Sequence, residues 1–525
     1  MNNFAKTFYA RAAVFLILAC SASLAGAAVR LPGFFTDNMV LQRDMPVPVW
    51  GWGNPGETVT VEFDGQRAIA TVDEFGSWMT KLKPLKASAT GRVLSVNHIQ
   101  LKNVLVGEVW ICSGTENMNF PVRKCINSRE ELKNADYPLI RLAAIDRVQS
   151  PLPENDANAR WEPCTNTSVA NFSATGYFFA RKLHGELGVP IGVIGASWGG
   201  TGINPWIPGE GYRDTPSLKW AVDQIYNGRP STETGKKKWE NYLEALAEWL
   251  PKARQAVANG QTPTDRPEIP TELWITNIEP TKTFNGMINP LIPYAIRGVT
   301  WDHADNPRRP EELYQKQKAL IESWRKLWQQ DFSFYFAQIP NSGPRDDQPE
   351  GGDKTAQLRE QQQKGLAIAN TGIAATIDIG VEDKRAAQNR QDVGARLALL
   401  ALAKDYGRSD LVHSGPQFRE LEIRGRDARA WFDHTGGGLM TGAKDGLQPA
   451  GQVEAELKGF AICGADRAWH WADVKIGPEA KSVILSSAQV ETPVAVRYGY
   501  RGNPAGINLY NREGLPALPF RTDNF

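Results

Sequence analysis

Residues 107–118 read GEVWICSGTENM, and this stretch decides the fold class. Its apolar run, Glu108–Ile111, is short and set between glycines, which reads as a strand. The run GVIGA at 192–196 has the same punctuation. Between the two, Phe178–Leu187 carries apolar residues at helical spacing. Glycine-bounded strands alternating with helices predict a mostly parallel sheet flanked by helices.

The same texture continues toward the C-terminus. Ala295–Trp301 and Phe332–Gln338 are strand candidates. Leu313, Leu320, Trp324 and Leu327 mark a helix opened by Pro310, Glu311 and Glu312. Asp392–Ala403 reads as a helix with Val393, Leu397 and Leu400 on one face. Residues 208–280 interrupt the alternation. There Trp239, Leu243, Leu246 and Leu250 recur at helical spacing among Lys and Glu, as in a helical insertion.

Both flanks read as β-rich. Val47–Gly53 and Thr58–Phe63 are short, β-branched and broken by Gly and Pro, a pattern that suits a small β-sandwich. Ala428–Phe432, Ser482–Leu485 and Val494–Tyr498 are strands of a second such region. For 525 residues two to four domains are expected. The boundaries fall at 28–105 for the N-terminal β region, 106–413 for the α/β domain and 414–525 for the C-terminal β region.

Residues 1–27 read as a signal peptide. Lys6 and Arg11 precede the apolar stretch Ala12–Cys20, which is too short to span a bilayer. Ala25 and Ala27 form an A-x-A site, so cleavage is expected after Ala27. The rival is a lipoprotein signal with a lipid anchor at Cys20. No transmembrane segment follows, so an exported protein, periplasmic or extracellular, is expected. Export permits disulfides. Cys112, Cys125, Cys164 and Cys463 then allow three full pairings. Their spacing matches no zinc motif, and no metal or other cofactor is expected. Formal charge is +1, with 59 basic and 58 acidic residues, which gives no basis for a nucleic-acid partner. The 17 Trp residues are numerous; most are expected in the core, although Trp also suits stacking on sugar rings.

Several separate stretches, in order, resemble the sialate O-acetylesterase family of the SGNH-hydrolase class. They are the opening LPGFFTDNMVLQRDMPVPVWGWGNPGETVTV, the block NFSATGYFFARKLHGELGVPIGVIGASWGGTGINPW, the block FNGMINPLIPYAIRGVTW and the tail VRYGYRGNPAGINLYNREGLPALPFRTD. Only the insertion is left uncovered. The resemblance implies a flavodoxin-like α/β SGNH-hydrolase domain with a parallel sheet, flanked by β-sandwich-like N- and C-terminal regions. It implies removal of O-acetyl groups from sialic acids or other glycans by a Ser–His–Asp triad with an oxyanion hole.

The site blocks depart from that pattern. The family's first block reads C-S-G-Q-S-N-M with the second Ser as nucleophile; here Cys112–Met118 is CSGTENM, and Glu116 holds the nucleophile position. The third block, W-Y-Q-G-E-S in the family, is WDHADN here, with His303 at the amide position and Asp305 at the Glu position. Before the intact anchor Asn389-Arg390-Gln391, Ala386 and Ala387 replace the family's His and Pro, and Lys384 or Asp383 falls at the acid. Asn117, Gly199, Gly200 and Trp206 persist, and Trp206 and Trp301 are expected to face a glycan. A glycan-binding relative impaired in catalysis is therefore expected. The alternatives are an active acetylesterase using Ser113 or a carboxylate-activated water, and a structural or partner-binding module. Glu116, Asp302 and Asp305 could supply the paired carboxylates of glycoside hydrolysis, but solvation or pairing with Arg308 and Arg309 is the expectation. Of the six histidines, His98, His184, His413, His434 and His470 lie away from the site blocks and only His303 falls in one.

Overall fold

One 16-residue strand, β1 (Ile99–Gly114), organises the molecule. The structure is a computed structural model and describes residues 29–227, 230–268, 279–303, 309–382, 387–504 and 506–525. The signal-peptide reading, with Cys20, lies outside them.

The other strands of the central sheet are β2 (Tyr137–Ala144), β3 (Trp161–Cys164), β4 (Ile191–Ser197), β5 (Gly298–Asp302), β6 (Ser333–Ala337) and β7 (Thr371–Ala374). Their order is β7-β6-β5-β1-β4-β2-β3. All neighbours are parallel except β2 and β3. The longer helices are α1 (Ala174–Leu187), α2 (Glu233–Ala258), α3 (Leu313–Trp328), α4 (Lys354–Lys364) and α5 (Arg390–Lys404).

Alternation along β1 divides the core between the two faces of the sheet. Trp110 and Cys112 join the cluster that holds Phe179 of α1 and Leu397 of α5. Val109 and Ile111 join the cluster that holds Trp206, Trp301 and Trp324. Each such buried side chain contributes roughly 1.5–3 kcal/mol from burial, so the sheet is anchored from both sides. Local signals fix the helix ends. The Ser173 hydroxyl caps α1 by accepting from the Gly176 amide at 3.1 Å, and Gly188 ends it with φ 64°. Asn389 caps α5 by accepting from the Asp392 amide at 3.1 Å.

The two β-rich flanks attach differently. In the N-terminal flank, strands Val40–Gln42 and Ser88–Val96 pair directly with β1. The boundary read at 105/106 thus falls inside one strand, because β1 belongs to both sheets at once. The C-terminal flank is a set of small antiparallel sheets around Phe432, Phe460, Tyr498 and Phe520. Arg359 of α4 joins it to the α/β domain. This buried guanidinium donates to the carbonyls of Ile339, Pro340, Arg501 and Gly502 at 2.7–2.9 Å. The described part of the insertion is mainly helical up to Ala258, with α2 as its longest element, and residues 261–268 have no regular structure. No helix among the described residues is long and apolar enough to cross a membrane.

Candidate functional site

From β1 the chain builds β2 and β4 on one side and β5, β6 and β7 on the other. The carboxyl end of β1 is therefore a switch point, where open α/β sheets leave a crevice for ligands. Strand register makes three ends flush there, since Gly114 pairs with Ser197 of β4 and with Asp302 of β5. The first, second and third sequence blocks thereby meet at one edge of the sheet.

The turn after β1 is held by its backbone. The Thr115 and Met118 amides both donate to the Asp302 carbonyl, at 3.1 and 3.2 Å, and the Trp198 amide donates to the Gly114 carbonyl at 3.2 Å. Gly114 has φ 144°, and a side chain there would strike the Asp302 backbone. Thr115, Asn117 and Met118 point inward, and Glu116 is the exposed residue of the turn. Its carboxylate lies against Gly199, where a Cβ would collide with it. The nucleophile position and the second block therefore touch through Glu116. Asn119 stands beside them, with its side-chain oxygen accepting from Arg147.

Below this surface lies a buried polar floor. Asp302 Oδ2 accepts from Arg390 Nη1 and from the Thr175 hydroxyl, both at 3.2 Å. Arg390 Nη2 donates to Asn117 Oδ1 at 2.8 Å, and Asn117 Nδ2 donates to the His303 carbonyl at 3.3 Å. The Arg390 guanidinium also sits over the Phe120 ring at 5.1 Å. Burial pushes the Asp302 carboxyl up, against the pull of Arg390 and its hydrogen bonds. Burial likewise lowers Arg390, against Asp302 and Glu116. Asp302 Oδ1, Arg390 Nε and Ser113 Oγ have no hydrogen-bond partner among the described residues.

Several expected roles change once the residues are placed. Ser113 lies within β1 at 0% exposure, so its hydroxyl cannot meet a glycan ester. Asp302 is no cleft carboxylate for glycoside chemistry, because it is sealed beneath the turn and paired with Arg390. His303 is buried, and its Nδ1 accepts from the Trp301 indole at 2.9 Å. An indole nitrogen only donates, so in the neutral ring the proton is on Nε2. Trp206 and Trp301 do not present faces to a sugar. They are 0% and 2% exposed, and they meet edge to face at 5.8 Å. Trp206 Nε1 donates to the Thr201 hydroxyl at 3.0 Å, and the Trp324 indole donates to the Trp206 carbonyl. Both rings are core that supports the loops from below. Asp305, Arg308, Asp383, Lys384 and Ala386 lie outside the described residues.

In the sequence Arg390 stands only as part of the Asn389-Arg390-Gln391 anchor, and Thr175 carries no motif. The available signal was the Asn389 cap, which sets Arg390 on the first turn of α5, pointing at the sheet edge. All four cysteines from Cys112 onward are free and buried, so none of the three pairings forms. Among the described residues, no group of three or more His, Cys, Asp or Glu side chains is placed to hold a metal ion.

No protein-family model matches the chain. It is 27% identical to the sialate O-acetylesterase of Mus musculus over 97% of this chain and 96% of that protein. It is also 27% identical to the Homo sapiens sialate O-acetylesterase, over 94% and 93%. Among solved structures it is similar to a carbohydrate acetylesterase from Xanthomonas citri, with TM-score 0.76 and 30% identity over 95% of this chain and all of that one. Sequence and fold agree across nearly the whole length, and the chain belongs to the sialate O-acetylesterase family of carbohydrate esterases.

Proposed function

We propose that this chain is an exported, glycan-binding member of its family whose acetylesterase activity is impaired. The observation that carries the reading is the placement of Glu116. An exposed carboxylate stands on the switch-point turn, against Gly199, where the family resemblance puts the nucleophilic Ser. A carboxylate is a far weaker nucleophile than a base-activated alkoxide. Its charge also opposes the oxyanion that must form beside it. Ser113 offers no substitute because it is enclosed in the sheet. Ala386, at the His position, has no basic atom. Loss of a full triad costs about 10⁶ in turnover in a serine protease, or about 8 kcal/mol of barrier.

Export is supported by the signal-peptide pattern of residues 1–27. A glycan as ligand is supported by what the similar proteins act on, namely sialate and carbohydrate acetyl esters. A second reading, ester hydrolysis by a water that Glu116 activates, is favoured by the exposure of that carboxylate. Isothermal titration against O-acetylated and bare glycans tests the proposal. Saturable binding without acetate release is expected for at least one acetylated glycan. Silence across the panel counts against it.

A further inference from the structure

We propose that the seam between the α/β domain and the C-terminal β region is a second saccharide site, suited to a short sugar that bears a carboxylate. Two adjoining cavities of about 300 and 190 Å³ lie along this seam and share Leu366 and Gln417. The larger is at the low end of ligand-pocket size, which suits one sugar ring better than a long glycan.

The larger cavity has an aromatic wall and a fixed polar pair. Phe418 is half-buried and stacks on Phe520, with ring centroids 4.4 Å apart. Glu360 Oε2 accepts from the Tyr500 hydroxyl at 2.7 Å and from Arg521 Nε at 3.1 Å. Burial alone raises the Glu360 carboxyl, but Tyr500, Arg521 and Lys364 reverse this and hold it below its ordinary value. An aromatic wall beside oriented acceptors and donors is the combination that meets a sugar's apolar face and its hydroxyls.

Basic side chains line the smaller cavity. His413 and His434 meet edge to face at 5.6 Å, and Lys404 lines the same space with its Nζ held 2.7 Å from the Thr371 carbonyl. Ile373 and Leu400 supply apolar walls. Two acids face these groups. Asp433 acts on His434, and Asp405 acts on Lys404. Asp405 is already engaged by Ser333 and Tyr335. Burial is the main force lowering both imidazoles; Lys404 adds to it for each, and His434 adds to it for His413. A bound carboxylate opposes that trend, so binding takes up protons and strengthens as pH falls toward the lowered values of the two imidazoles. None of these side chains belongs to the cleft at Glu116.

The test is isothermal titration of the full mature chain with methyl glucuronide and with methyl glucoside, its neutral counterpart, at about pH 5.5 and about pH 8. The glucuronide is expected to bind at least about 10-fold more tightly than the glucoside, and about 10-fold more tightly at the lower pH. Binding should persist in Glu116→Ala and disappear in His413→Gln/His434→Gln. In the unaltered chain, the ring resonances of both histidines should move on titration, a readout independent of variant folding. Absence of glucuronide binding, equal affinity for the two sugars, or loss of binding in Glu116→Ala with retention in the double His variant would overturn the proposal.

Discussion

Arg390 Nη1 lies 3.2 Å from Asp302 Oδ2, and each side chain is 1% exposed. The pair joins the last residue of β5 to the first residue of α5 beneath the turn that carries Glu116. The other arm of the guanidinium holds Asn117 at 2.8 Å, so one cation ties three sequence blocks together. Two charges out of water are stable only as a hydrogen-bonded pair, and here Thr175 and Asn117 each add a hydrogen bond to it.

Removing one partner leaves the other charge buried and unopposed. Arg390→Met is expected to lower the unfolding free energy by about 3–5 kcal/mol, read from urea denaturation. Asp302→Leu/Arg390→Met should recover part of that loss, because it removes both charges. A single variant within about 0.5 kcal/mol of the parent would show that the pair is not buried as described.

Trp206 separates a core role from a binding role. Trp206→Ala should cost about 3–5 kcal/mol, since it empties a packed site against Trp301 and leaves the Thr201 hydroxyl without its indole donor. Unchanged stability with lost glycan affinity would restore the sugar-stacking role expected from sequence.

Much of the fold was legible because its signals are local. Glycine-bounded runs gave β4 and the C-terminal part of β1, and apolar periodicity gave α1, α3 and α5 within a few residues of their ends. The flank strands at 428–432, 482–485 and 494–498 are present within one residue of their expected ends. The continuity of β1 across residue 105 was not legible, since a strand that changes sheets carries the same alternation throughout. Position at the site was partly readable, because blocks that follow parallel strands end at one edge. Burial was not. Trp206, Trp301 and Asp302 look as suitable for a cleft as for a core until α3 and α5 are packed over them, and the contact of Asp302 with Arg390 spans 88 residues of sequence.

The cysteines should be inert. Burial, the dominant cause in each case, pushes the Cys112 and Cys164 thiols up to about 12 and the Cys125 thiol to about 11. Thiolates are the reactive form, so native protein should not react with a thiol-specific disulfide reagent at neutral pH. Cys112, Cys125, Cys164 and Cys463 should all react after unfolding without reductant. Fewer than four reactive thiols would mean that a disulfide forms.

Acid should loosen the C-terminal tail. Burial alone raises the Asp523 carboxyl, but Arg497, at 2.7 Å, and Arg521 reverse this and hold it below its ordinary value. A carboxyl depressed in the folded state adds stability that is complete above its unfolded value, about 3.9, and is lost as pH falls through the folded one. Asp523→Asn should therefore cost about 1.5–3 kcal/mol at neutral pH. It should also flatten the decline of stability below about pH 4. Parallel stability curves for parent and variant across that range would contradict the assignment.

The most direct measurement is turnover of p-nitrophenyl acetate and of an O-acetylated sialic acid by the purified mature chain, beside Glu116→Ser and Glu116→Ser/Ala386→His. An esterase cleft emptied at Glu116 and Ala386 predicts no turnover above background in the parent and measurable turnover in the double variant. Parent turnover that falls to background in Glu116→Ala/Asn117→Ala would contradict it, and would mean that the cleft hydrolyses esters by a second catalytic arrangement.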